Sequence, residues 1–140
     1  ANSLVAGSTI RVKSMGIATA TNSTDTLQIT LGLGPTATAL ASREEILATD
    51  AVDQVNNDVF YIDAVIQVRT VGTGGTAVAM VQYQDPDAVA TTSKRILKAS
   101  FTLNTTVANT LAVSGQWSVA NAGNSMRSDL FVVDIVNPST

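Results

Sequence analysis

DVFYIDAVIQVRTVGTGGTAVAMVQYQ, residues 58–84, decides the fold class. In its first arm Phe60, Ile62, Ala64, Ile66 and Val68 alternate with Val59, Tyr61, Asp63, Val65, Gln67 and Arg69. A period of two sends successive side chains to opposite faces and marks a β-strand. Gly72-Thr73-Gly74-Gly75 separates this arm from a second, TAVAMVQYQ, and is the chemistry of a hairpin joint. The first set of side chains is wholly apolar, which predicts a core-facing surface. The second is only half polar, more apolar than a water-facing sheet surface requires.

The same period recurs on both sides of the hairpin. Thr9–Ser14 alternates Ile10 and Val12 against Arg11 and Lys13, and Thr26–Leu33 places Leu27, Ile29, Leu31 and Leu33 on one face. Gly34-Pro35 ends that strand, and an Ala-rich strand over Thr36–Ala41 is expected to follow. Ser42-Arg43-Glu44-Glu45 offers a capping residue and an acidic first turn, so one short helix is expected near 43–48. Beyond the hairpin, Lys94–Leu103 puts Leu97, Ala99, Phe101 and Leu103 on one face. Leu111–Val119 does the same with Leu111, Val113, Trp117 and Val119, and Met126–Val136 closes the chain. About eight short strands with polar Gly, Asn and Thr turns predict an all-β fold, an antiparallel β-sandwich. Long connections between some of them favour a jelly roll. Residues 1–8 read as an N-terminal arm and 9–137 as a single domain.

The bulk properties exclude several functions. The 140 residues include 8 Lys and Arg against 11 Asp and Glu, with 45% hydrophobic and 14% charged residues. Scattered basic residues and a net charge of -3 argue against nucleic acid as a partner, because phosphate neutralisation needs clustered Lys and Arg. They argue equally against a membrane surface. With no cysteine, thiolate chemistry is impossible, and with no histidine the commonest general base and the His of a conventional triad are absent. No catalytic, cofactor or metal residues are identified, and no enzymatic function is expected.

Candidate motifs resolve into turn chemistry. The Gly72–Gly75 run lacks the Lys-Ser/Thr of a phosphate loop and precedes a strand. Asp85-Pro86-Asp87 resembles the start of a calcium loop but lacks the later glycine and glutamate. Asn22-Ser23-Thr24 and Asn104-Thr105-Thr106 match the glycosylation pattern, yet both fall in turn-rich segments. Trp117 reads as a core anchor.

What remains is the apolar second face. The strands at 58–71, 76–84 and 126–136 carry apolar residues on both sides, and a contiguous surface of that kind is unusual on a monomer. The expectation is a homo-oligomer whose interface includes Val59, Tyr61, Val65, Tyr83, Phe131 and Val133; cover by loops or by the N-terminal arm is the alternative.

IDAVIQVRTVGTGGTAVAMVQYQ and NTTVANTLAVSGQWSVANAGNSMRSDLFVVDIVN, with the opening ANSLVAGSTIRVKSMGI, resemble a domain of tailed-bacteriophage structural proteins. The resemblance implies a tumour-necrosis-factor-like jelly roll, a homotrimer, displayed at the virion surface. It implies a capsid decoration (cement) protein that binds the major capsid protein or another virion protein and stabilises the head. The alternatives are the head domain of a tail fibre, spike or needle, or a non-catalytic ligand-binding β-sandwich.

Overall fold

The computed structural model describes residues 4–22, 24–39, 42–53, 57–85 and 93–138. Nine strands follow in order: β1 Thr9–Thr19, β2 Thr26–Pro35, β3 Glu44–Ala48, β4 Val52–Asp53, β5 Asp58–Thr70, β6 Thr76–Gln84, β7 Ser93–Thr102, β8 Asn109–Trp117 and β9 Ser125–Val136. They form two antiparallel sheets. The first, sheet A, has the order β7-β6-β5-β1-β9. In the second, sheet B, β2 is central, with β8 along one edge and β3 and β4 along the other. The first strand thus pairs with the last and the second with the last but one, a nested pattern. By contrast β5, β6 and β7 run as a meander within one sheet.

The period-two reading places the core correctly in the two best strands. Phe60, Ile62, Ala64, Ile66 and Val68 of β5 are buried, and across the sandwich they meet Leu27, Ile29, Leu31 and Leu33 of β2. Each large aliphatic or aromatic side chain so buried contributes about 1.5–3 kcal/mol of hydrophobic stabilisation. The β5–β6 joint is a tight turn in which Gly72 has a φ of +116°, a conformation that L side chains rarely adopt.

Three expectations fail for local reasons. Residues 43–48 contain no helix: Glu44–Ala48 is β3, paired to β2 with Leu47 opposite Leu31. A register shift between Leu31 and Gly32 lets the adjacent Ile46 and Leu47 both turn inward. Filling the open edge of β2 outweighs a capping preference worth about 1 kcal/mol. The Thr36–Ala41 strand is absent over the described part of that stretch, where Thr36 and Ala37 form a turn after Pro35; Leu40 and Ala41 lie outside the described residues. On β7 the two faces exchange part-way along. A register shift between Ala77 and Ala79 keeps Phe101 inward but turns Ile96 inward and Leu97 out, leaving Leu97 73% exposed. One extra residue in a strand reverses the face of all that follow.

The described part of the N-terminal arm is tied down. Gly7 N–H donates to the Val68 carbonyl at 2.8 Å and Val68 N–H to the Ser8 carbonyl at 2.9 Å, so the arm prolongs the β1–β5 pairing. Ser8 Oγ donates to Asn137 Oδ1 at 2.6 Å, which joins the two ends of the described chain.

Candidate interaction surface

The outer face of sheet A is built from side chains that alternate with the core set. Across β5 and β6, Val65 lies opposite Met80, and Leu97 of β7 lies opposite Met80 in turn. Directly opposed residues of an antiparallel pair share a face. These three therefore form an apolar row, with Met80 56% and Val65 36% exposed. A second row runs Tyr61, Met15, Leu130 across β5, β1 and β9.

Between these rows runs a polar one, Lys13, Asp63, Gln82 and Arg95, in which Asp63 binds Lys13 and Tyr61. Lys13 Nζ lies 3.3 Å from Asp63 Oδ2, and the Tyr61 hydroxyl donates to the same oxygen at 2.9 Å. The Asp63 hydrogen bond raises the Lys13 pKa, and burial, ahead of Asp63, raises that of Tyr61. This face therefore offers a partner apolar rows separated by polar ones.

The two lateral edges of the sandwich differ. On the β7 side Lys94 and Lys98 stand opposite Tyr83 and Ala79, both core residues, so they point inward at the sheet margin. Lys98 Nζ reaches Glu44 Oε1 at 2.8 Å and donates to the Glu45 carbonyl at 2.9 Å, bridging sheet A to β3 of sheet B. Lys94 Nζ lies 2.7 Å from Asp50 Oδ2 and 2.6 Å from Asp85 Oδ2, and these bonds raise its pKa. On the β9 side no ion pair bridges the sheets among the described residues; the Asn124 amide, just before β9, donates to Asp25 Oδ2 at 2.8 Å. Phe131, Val133 and Ile135 lie opposite Ser14, Val12 and Ile10, which places them on the inner side of sheet A, yet Phe131 remains 46% exposed. A cleft of about 770 Å³ opens there between Val133 and Ile135 of β9, Leu111 of β8 and Leu33 of β2. Leu130, Val132 and Val136, on the outer side of β9, are exposed as well.

The six residues expected at an interface therefore fall into three groups. Val59, Tyr61 and Val65 share the outer face of β5, with Val59 and Val65 exposed and Tyr61 half-buried. Phe131 and Val133 sit together two strands away, on the opposite side of the sheet. Tyr83 is 5% exposed and belongs to the core, because β6 turns Ala77, Ala79, Val81 and Tyr83 inward together. Alternation alone puts Leu97, the most exposed large apolar residue described, on the wrong face.

The described residues of the glycosylation-like triplets make turn hydrogen bonds. Asn22 Oδ1 accepts from the Thr24 N–H and hydroxyl at 3.1 and 2.8 Å, and Asn104 Oδ1 accepts from those of Thr106 at 2.9 and 2.7 Å. Of Asp85-Pro86-Asp87, the last two lie outside the described residues. Among the described residues no group of three or more His, Cys, Asp or Glu is placed to hold a metal ion, and no helix is long and apolar enough to cross a membrane. Comparison of the chain with known protein families, curated proteins and solved structures finds no match.

Proposed function

We propose that this chain is a structural protein that works by assembling with copies of itself, as a trimeric decoration protein on the outside of a phage head. The observation that carries the assembly reading is the uncovered apolar surface of sheet A: Val65, Met80 and Leu97 on its outer face and both sides of β9 at its margin. The described arm, Leu4–Ser8, pairs with Val68 of β5 and reaches the cleft through Leu4, yet Phe131, Val133 and Ile135 stay 40–52% exposed, so that part of the chain does not cover β9. The virion setting, the trimer and the capsid partner are supported by the resemblance of residues 1–17, 62–84 and 104–137 to tailed-phage structural domains. The nested pairing of β1 with β9 and β2 with β8 is compatible with the rolled-up ribbon that this resemblance implies.

The test is co-sedimentation of the purified chain with phage heads lacking their decoration protein. Binding to the shells, with greater resistance of the heads to heat, is the expected result. A self-associated chain that ignores the shells would move the reading to a fibre, spike or needle head. Val65→Asp places a charge in the apolar row and is expected to weaken assembly while circular dichroism stays unchanged. A second reading, a ligand-binding sandwich, is favoured by the β8–β9 cleft; it requires a monomer that takes up an apolar ligand there.

A further inference from the structure

β9 is an edge strand that is apolar on both faces and unpaired on one side. One side is hydrogen-bonded to β1 over Ser125–Val136, and among the described residues nothing pairs with the other. Natural sheets guard such edges with lysine, proline, inward charge, bulges or very short strands, and the one bulge in β9 lies outside its centre. β9 has a 12-residue span, and its centre, Leu130-Phe131-Val132-Val133, carries none of these. An apolar small molecule in the cleft would cover side chains but leave the backbone edge unpaired. A β-strand satisfies both.

The sequence of β9 specifies a particular strand. The β1–β9 register passes from Met15 opposite Leu130 to Gly16 opposite Ser128, so Asp129 is an extra, bulged residue. Because of that bulge Arg127 lies three ladder steps before Phe131, and Asp134 lies three steps after it. Two copies of β9 placed antiparallel about a two-fold axis at Phe131 then bring Leu130 opposite the partner's Val132. They also bring Arg127 opposite the partner's Asp134, and the two-fold repeats each pairing. Centring the pair on Val132 or Val133 instead sets Asp134 against Leu130 or Val132. The faces agree as well: Arg127 and Asp134 oppose Ile17 and Arg11, both on the outer side of sheet A. Among the described residues Asp134 makes no ion pair, and Arg127 is bound only to its neighbour Asp129, by Nε at 2.6 Å and Nη2 at 3.3 Å. The remaining guanidinium donors are free for a second carboxylate.

We propose that β9 is a homotypic edge, through which two copies of the chain join their five-stranded sheets antiparallel about Phe131, locked by two Arg127–Asp134 pairs. This rests on the reading that the chain assembles with itself. It adds a two-fold contact distinct from the outer face of sheet A, so the assembled mass is that of two or six copies.

The test uses the whole chain, which has no cysteine, so a single introduced thiol forms a disulfide only with another copy. Phe131→Cys sits on the axis, where opposed Cβ atoms are about 4.5–5.5 Å apart, near the separation a disulfide spans. Mild oxidation is expected to convert most of it to covalent dimer, and to leave Ile135→Cys, which does not face itself, monomeric on a non-reducing gel. Asp134→Arg and Arg127→Asp are each expected to weaken association at least tenfold, and the double variant to restore it. If the wild type associates but Phe131→Cys does not cross-link and Asp134→Arg changes nothing, the edge contact is overturned while self-assembly stands. A wild-type monomer overturns both. A monomer whose β9 amides resist hydrogen exchange would show that the chain covers its own edge, and it too overturns the proposal.

Discussion

The two margins of sheet A, β7 and β9, solve the same problem in opposite ways. β7 reads SKRILKASFT, bulges near Ala99, and turns Lys94 and Lys98 inward onto carboxylates and a carbonyl that lie partly in the other sheet. A new strand docking there would meet positive charge. β9 reads SMRSDLFVVDIV and keeps its charges to Arg127, Asp129 and Asp134, with four apolar residues between. Its side of the sandwich is an apolar cleft instead of an ion-pair bridge. Lysine lines one margin, and on the proposed edge contact the pattern of the other admits one strand in one register. Low overall charge therefore does not mean an undefended surface; where the charge sits decides which edge can be paired.

That contrast can be broken at several points. The largest effect belongs to the interior, which serves as the reference. Phe60→Ala removes a fully buried ring from the middle of β5 and should cost about 3–5 kcal/mol in urea unfolding. Phe131→Ala on β9, half-exposed in the isolated subunit, should cost about 1 kcal/mol or less in the same titration at concentrations where the chain is dissociated. Next, moving the β7 device to β9 should undo assembly. Phe131→Lys is expected to weaken association by more than about 1.4 kcal/mol, a factor of ten, read by light scattering with unchanged circular dichroism. The converse change is smaller. Lys98→Leu removes a one-third-exposed ion pair and should cost less than about 1 kcal/mol, but it should raise the rate of aggregation by opening the β7 edge.

The smallest effect is on the alkaline limb. Hydrogen bonds to Asp50 and Asp85 raise the Lys94 pKa, and burial raises that of Tyr83. Both folded values lie above the unfolded ones, so the stabilisation is full below about pH 10, the ordinary Tyr and Lys range, and is lost as pH rises through the folded values. The urea midpoint should hold up to about pH 10 and then fall, and Lys94→Met should flatten that fall.

Much of the fold is legible in the sequence because β2 and β5 are central strands with one face on the core; there alternation and burial coincide. It fails where the ladder is irregular. Leu97 falls on the wrong face because the β6–β7 bulge reverses the phase, and no composition signal marks that bulge. Ser42–Leu47 looks like a helix start because capping chemistry is local, whereas the demand of the β2 edge for a partner is not. The candidate surface is legible as an excess of apolar residues in β5, β6 and β9. Which of those residues are exposed depends on sheet order, and sheet order is not written in any single strand. Tyr83 is the clear case: its phase along β6 puts it in the core, and only its residue type suggested an interface.

The central claim is that the apolar face and margin of sheet A are covered by further copies of the same chain. Its most direct test is the solution mass of the wild-type chain, by multi-angle light scattering across a hundredfold dilution. The account predicts a discrete assembly larger than one 14.5 kDa subunit, shifted towards monomer by Phe131→Lys and by Val65→Asp. A mass of one subunit at every concentration would contradict it.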